Sequence, residues 1–255
     1  MDSQETVIST QELTKRYGKK VALDGLSIEL RRGRIYGLVG NNGSGKTTLL
    51  RILSGLSPRY EGKVKILGRA DRKGLRLSRR SMGAFICPPA YYDTFSIKSN
   101  LTMRGILIGK NDKEQIKQLR EQLKLKNRDI GGRTIRSCTP GQKQLYGVAS
   151  ALVGDPELLL LDEPFDGLDS KGIEDIRELL LKTNREKCVT ILISSSKPAD
   201  IDNFVTDYIF IDNGRLVEQI SSDELDARIA ERGMEGVGDY FSSLVPSKPG
   251  KERTK

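Results

Sequence analysis

The sequence predicts an α/β protein with a mostly parallel sheet, an antiparallel β-subdomain at the N-terminus and an inserted helical subdomain. Three observations carry this. Short, mostly apolar runs such as Ile35-Tyr36-Gly37-Leu38-Val39, Leu158-Leu159-Leu160-Leu161 and Val189-Thr190-Ile191-Leu192-Ile193 read as strands buried on both faces. They alternate with amphipathic helical segments, the pattern of a parallel sheet covered on both sides. Leu26-Ser27-Ile28-Glu29-Leu30 instead alternates apolar and polar, as a half-buried antiparallel strand should.

Taken in order, residues 6–13 and 21–30 read as β segments joined by a polar turn at Tyr17-Gly18-Lys19-Lys20. Residues 35–40 read as a central strand, residues 46–56 as a helix and Val64-Lys65-Ile66-Leu67 as a short strand. Residues 99–126 are rich in lysine and leucine at helical spacing, and residues 141–153 read as a further helix. The helix expected over 171–184 sets Ile173, Ile176, Leu179 and Leu180 on one stripe. Asn213-Gly214 between two β segments signals a hairpin. A last helix is expected over 222–231. One domain over 1–240 follows, with the helical subdomain at about 88–150 and a basic, frayed tail over 241–255.

The chain has 255 residues, enough to bury a core without staples. No apolar run reaches the ~20 residues that span a bilayer, and the polar start Met1-Asp2-Ser3-Gln4-Glu5 is unlike a secretion signal. Cys87, Cys138 and Cys188 have no paired spacing and read as reduced thiols of a cytoplasmic protein. The formal charge is +9, and the stretch from Arg59 to Arg80 alone carries nine cations against Glu61 and Asp71, a local +7. No aromatic residues alternate with those cations, so the stretch reads as a solvated face and nucleic acid is not an expected partner.

Gly40-Asn41-Asn42-Gly43-Ser44-Gly45-Lys46-Thr47 matches the phosphate-loop pattern G-x-x-x-x-G-K-[ST] in its required strand–loop–helix setting. Its glycines let successive N–H groups face phosphate oxygens at a helix N-terminus. Lys46 can reach the β- and γ-phosphates, and Thr47 can ligate Mg²⁺. Thr48 continues the helix start at the same site. Leu158 to Leu161 deliver Asp162 and Glu163 to a strand end. Asp162 suits Mg²⁺, and Glu163 suits the polarising of an attacking water. Thr139-Pro140-Gly141-Gln142 has capping-box form with proline at the first helical position. Such a helix tip offers free N–H donors to an anion.

With these segments in order, residues 6–220 resemble the ATP-binding subunits of ABC transporters. The resemblance implies a P-loop NTPase core. It assigns Lys46 and Thr47 to Walker A, Leu158–Asp162 to Walker B, Glu163 to the catalytic glutamate and Cys138–Gln142 to the signature motif. Gly167-Leu168-Asp169 resembles the D-loop at a dimer seam, and Tyr17 matches the aromatic that stacks on adenine. Two subunits are then expected to pack head to tail, each ATP lying between one phosphate loop and the partner's Thr139, Gly141 and Gln142. Transmembrane permease subunits are expected to dock on the helical subdomain. The protein would be cytoplasmic, peripheral on the inner face of the plasma membrane. The segment Met82–Tyr92 resembles the corresponding loop of bacitracin- and lantibiotic-type exporters.

The chain departs from that family at three places. Ser196 stands where a switch histidine belongs, in a chain with no histidine at all. Cys87 stands where that exporter subgroup usually carries an acidic residue and most other relatives carry glutamine, and a thiol is a poor Mg²⁺ ligand. Thr139 stands where serine is usual, with Pro140 in place of glycine or leucine. Besides these three, Leu145 stands where an arginine often follows the signature glutamine. Glu163, Lys46 and Ser196 are the expected catalytic residues. ATP hydrolysis is expected, slowed by the altered switch residues. The alternative is a hydrolysis-impaired regulatory subunit paired with an active partner, and the pairing could be homo- or heterodimeric.

Overall fold

The computed structural model describes residues 5–86, 91–123 and 134–245. Cys87 and the tail from residue 246 therefore lie outside the described residues. Strand β1 (Thr6–Tyr17) pairs antiparallel with β2 (Lys20–Arg31) and, on its other side, with β4 (Glu61–Ile66). This three-stranded sheet is the expected N-terminal subdomain.

The main sheet has six strands in the order β5-β6-β7-β3-β8-β9. Its members are β3 (Ile35–Val39), β5 (Met82–Phe85), β6 (Leu158–Asp162), β7 (Thr190–Ser195), β8 (Asp207–Asp212) and β9 (Arg215–Ser221). The strands β5 to β8 pair in parallel, and only β9 runs antiparallel, across the Asn213-Gly214 hairpin. Every residue of β3, β6 and β7 is buried, which is why these strands lack alternation in sequence. Period two still sorts their side chains. Leu159, Leu161, Ile191 and Ile193 enter one core, while Leu158, Leu160 and Leu192 enter the other. Each such leucine contributes roughly 2 kcal/mol of burial.

Helix α1 (Lys46–Ser54) follows β3 and packs into the core shared with the N-terminal sheet. The cations of the basic stretch are exposed except Arg79, which folds inward after α2 (Arg72–Ser78). Its guanidinium donates to the carbonyls of Ile52 and Leu53 at 3.0 and 2.9 Å, capping the C-terminal end of α1. Burial there lowers the Arg79 pKa from its ordinary value.

The described part of the lysine-rich run over 99–126 forms two helices, α3 (Ile97–Leu107) and α4 (Lys113–Gln122), and residues 124–126 lie outside the described residues. Gly109, at φ 72°, stops the first, and Asp112 caps the second by accepting from the N–H groups of Glu114 and Gln115. Helix α5 (Pro140–Leu152) then returns the chain to β6. Helix α6 (Ser170–Lys187) buries Ile176, Leu179 and Leu180 as its stripe requires, with Ile173 half-buried. The helix expected last, α7 (Ser222–Arg232), is followed by α8 (Val237–Leu244). The rings of Phe241 and Phe210 stack at 5.8 Å, so the ordered fold continues past residue 240. Val237, Tyr240, Phe241 and Leu244 stand at i, i+3, i+4 and i+7, so one face of this eight-residue helix is apolar and packs on the core.

Candidate functional site

The C-terminal ends of β3, β7 and β6 lie side by side, with Val39 opposite Ser195 and Asp162 opposite Ser194. The phosphate loop leaves β3 at this edge, where parallel sheets commonly take ligands. Gly45 has φ 113°, and an added Cβ would stand 2.7 Å from the Ala22 carbonyl, so glycine is required. The hairpin tip buttresses the loop from below. Gly214 N–H donates to the Ser44 carbonyl at 2.8 Å, and the Gly214 carbonyl accepts from Asp24 N–H at 2.9 Å. Asn213-Gly214 is thus a loop support as well as a turn, a role its dipeptide signal does not carry.

Lys46 is buried at the start of α1. Its Nζ donates to the carbonyls of Gly40 at 2.6 Å and Asn41 at 3.3 Å, and pairs with Glu163 Oε1 at 3.3 Å. Thr47 Oγ1 donates to Asp162 Oδ1 at 3.1 Å. Tyr17, Asn42, Gly43, Gly45, Lys46, Thr47, Thr48 and Glu163 line one cleft of about 290 Å³. Tyr17 is 46% exposed, with Lys15 Nζ 4.9 Å from its ring centroid.

Glu163 is a non-glycine residue at φ 46°, a left-handed conformation that costs about 1–2 kcal/mol. Its backbone and its carboxylate are both held. Ser194 Oγ accepts from Glu163 N–H at 2.9 Å and donates to Asp162 Oδ1 at 2.8 Å. Gln144 Nε2 donates to the Glu163 carbonyl at 2.6 Å. Ser196 turns toward the same residue: its N–H donates to Glu163 Oε2 at 3.0 Å, and its Oγ stands 3.4 Å from that oxygen.

Thr139, Gly141 and Gln142 are not among the residues lining this cleft. They form the capped tip of α5, where Thr139 Oγ1 accepts from Gln142 N–H at 3.2 Å and Gln142 Oε1 accepts from Thr139 N–H at 2.9 Å. Thr139 and Pro140 are exposed, while Cys138 behind them is buried. Gly141 lies against the Gly167 carbonyl, and Asp169 caps α6 by accepting from Gly172 N–H at 2.8 Å.

Ser194 and Gln144 are residues that motif reading passes over. Each is a buried polar side chain in an apolar setting, Ser194 after Ile191-Leu192-Ile193 and Gln144 beside Leu145 and Tyr146. Buried polar groups need partners, and here the partner is Glu163.

The residues present fit a magnesium-bound nucleoside triphosphate. An ammonium, a helix N-terminus and a glycine-lined loop converge on one cleft, and a hydroxyl and a carboxylate stand together as hard oxygen donors. Ser44 Oγ is buried in the loop with no hydrogen-bond partner among the described residues. Fold and site together define a phosphate-loop nucleotide-binding cassette.

Residues 23–166 match the family model for ABC transporters. The chain is 36% identical over 223 residues to the bacitracin transport ATP-binding protein BcrA of Bacillus licheniformis, covering 88% of this chain and 72% of that one. It is 31% identical over 239 residues to the lantibiotic transport ATP-binding protein SrtF of Streptococcus pyogenes, covering 94% of this chain and 97% of that one. The dimeric structure of MJ0796, a bacterial ABC transporter cassette, superposes with a TM-score of 0.73 at 25% identity, over 84% of this chain and 98% of that one. The chain belongs to the ABC transporter family, as an ATP-binding subunit.

Proposed function

We propose that this subunit hydrolyses Mg-ATP between two cassettes and so drives export of an amphipathic peptide antibiotic through separate permease subunits. The observation that carries the hydrolytic part is the contact of Glu163 Oε1 with Lys46 Nζ at 3.3 Å, beside Thr47 and Asp162. A general base, a phosphate-binding cation and a pair of oxygen donors are there within reach of one another. Lys46 exchanges Glu163 and the two loop carbonyls for phosphate oxygens, which frees the Glu163 carboxylate to face water. Glu163 then accepts a proton from the attacking water. Thr47 and Asp162 would hold Mg²⁺, whose charge offsets that developing on the β- and γ-phosphates. Tyr17 offers its exposed ring to the base, and the α5 tip of a second cassette offers N–H donors to the γ-phosphate.

The peptide substrate is inferred from the relatives named for bacitracin and lantibiotic transport. A separate cleft of about 670 Å³, lined by Leu56, Ile86, Tyr91, Tyr92 and Leu107, lies between the main sheet and α3. Leu56 is 68% and Leu107 66% exposed, an apolar rim suited to a permease segment. No helix among the described residues is long and apolar enough to cross a membrane; the reading places the transport path in separate permease subunits and the cassette on the cytoplasmic face, supported by relatives named as transport ATP-binding proteins.

A second reading is favoured by Ser196, whose N–H and hydroxyl both face Glu163, and by the absence of any histidine. There the subunit binds ATP and gates without fast turnover. ATP turnover of the purified protein, alone and with its permease in membranes, decides between them beside a Glu163→Gln control. The motor reading expects wild type to exceed the control by about 10²-fold or more, since positioning and electrostatics supply most of phosphoryl-transfer catalysis. Equal rates in both settings leave only the regulatory reading.

A further inference from the structure

Glu163 is gripped at both of its backbone polar groups by side chains from two different elements. Ser194, at the end of β7, takes its N–H. Gln144, from α5, takes its carbonyl at 2.6 Å and is itself only 8% exposed. Because φ at Glu163 is 46°, the peptide on either side sits in a conformation that persists only where its surroundings impose it. With the N–H fixed from β7, a pull on the carbonyl turns the residue rather than carrying it along. Turning it re-aims the carboxylate relative to Lys46.

Gln144 is five residues from Thr139, which caps the same helix. A helix transmits displacement as a stiff rod, so movement of the α5 tip arrives at Gln144 Nε2. The tip also packs against Gly167, four residues beyond Glu163 on the segment leading to α6. The described contacts therefore join the α5 tip to the general base through one hydrogen bond and one close backbone approach.

We propose that Gln144 is a positioning residue that couples the two ATP sites of the cassette pair. When the α5 tip engages a γ-phosphate on the partner, Gln144 resets Glu163, which serves the ATP on its own phosphate loop. This inference rests on the two-cassette reading above. It adds a path by which occupancy of one site sets the aim of the base in the other, a coupling between sites in the thermodynamic sense.

The test is steady-state ATP hydrolysis by the full chain over a range of MgATP concentrations, with calorimetric affinity measured in parallel. Gln144→Met keeps the volume and loses the donor. Gln144→Glu keeps the shape and places a carboxylate against the Glu163 carbonyl. Each is expected to lower kcat about tenfold, as loss of one short hydrogen bond allows. Each is expected to leave MgATP affinity within about twofold and to bring the Hill coefficient from above one down to one. Both variants carry the same expectation, so a folding defect in one leaves the other to decide. Unchanged kcat and Hill coefficient overturn the proposal. So does a Hill coefficient of one in the wild-type dimer, and so does a parallel loss of affinity and kcat, which marks general damage. Failure of the two-cassette reading is separate: Glu163→Gln protein would stay monomeric with MgATP present.

Discussion

The phosphate loop and the end of β7 leave adjacent parallel strands at one edge of the sheet, with Val39 opposite Ser195. They keep their shapes by different means. The loop is held mostly by contacts within itself: Lys46 Nζ ties the carbonyls of Gly40 and Asn41, six and five residues back, and Ser44 N–H donates to the Asn41 carbonyl at 3.0 Å, with Gly214 N–H on the Ser44 carbonyl as a distant brace. The end of β7 is held by side chains that reach far along the chain. Ser194 meets Asp162 and Glu163, 32 and 31 residues away, and Ser196 meets Glu163 across 33. A phosphate cradle needs a fixed local curl, which glycines and one lysine specify for the most part, with Gly214 bracing it at Ser44. A proton acceptor needs an aim, and aim is set by whatever surrounds it.

The contrast breaks first at Lys46. Removing its ammonium deletes a charge that serves the loop and any bound phosphate together. Lys46→Ala is expected to weaken MgATP binding about 10²-fold or more, the ~3 kcal/mol of two charge-assisted hydrogen bonds. Isothermal calorimetry measures it, and a melting curve separates lost binding from lost folding. Binding within threefold of wild type would mean that phosphate is gripped elsewhere, and the local-curl account of the loop would fall with it.

Ser194 gives the next largest effect, on the other side of the comparison. Ser194→Ala leaves Glu163 N–H and Asp162 Oδ1 each short of a buried partner. The expected outcome is about a tenfold drop in kcat and a cost of about 1–3 kcal/mol in stability. MgATP affinity, which depends on the loop, should hold within about twofold. Equal losses in affinity and kcat would show that β7 supports the loop as much as the base.

This difference also explains what could be read from sequence. The phosphate loop, the Leu158–Asp162 strand and the Thr139–Gln142 capping box are contiguous, so each announces itself by spacing alone. All three form as the pattern requires. Gln144, Ser194 and Gly214 act through contacts to residues 19 to 190 positions away. Nothing in the neighbouring residues encodes those distances. The same holds for Arg79, one cation among nine, which only its reach to the carbonyls of Ile52 and Leu53 separates from its solvated neighbours. The two-helix form of residues 97–122 was legible in part, since Gly109 and Asp112 are a stop and a cap, but lysine and leucine at helical spacing run on past them.

The finest discrimination falls on Ser196, where the sequence resemblance leads one to expect a histidine. Its nearer contact with Glu163 is the backbone N–H at 3.0 Å, and the hydroxyl at 3.4 Å is the weaker of the two. Ser196→Ala keeps the first and loses the second, so kcat should fall by no more than about threefold, the ~0.6 kcal/mol of a marginal hydrogen bond. The variant separates two roles for one side chain. If the hydroxyl merely steadies the carboxylate, alanine is tolerated and the backbone of β7 does the aiming. If instead kcat falls 30-fold with affinity unchanged, the hydroxyl must leave Glu163 when the cassettes close and act on the γ-phosphate itself. In that case the serine does by movement what a longer imidazole does by reach, and the end of β7 is a moving part of the site rather than a fixed wall.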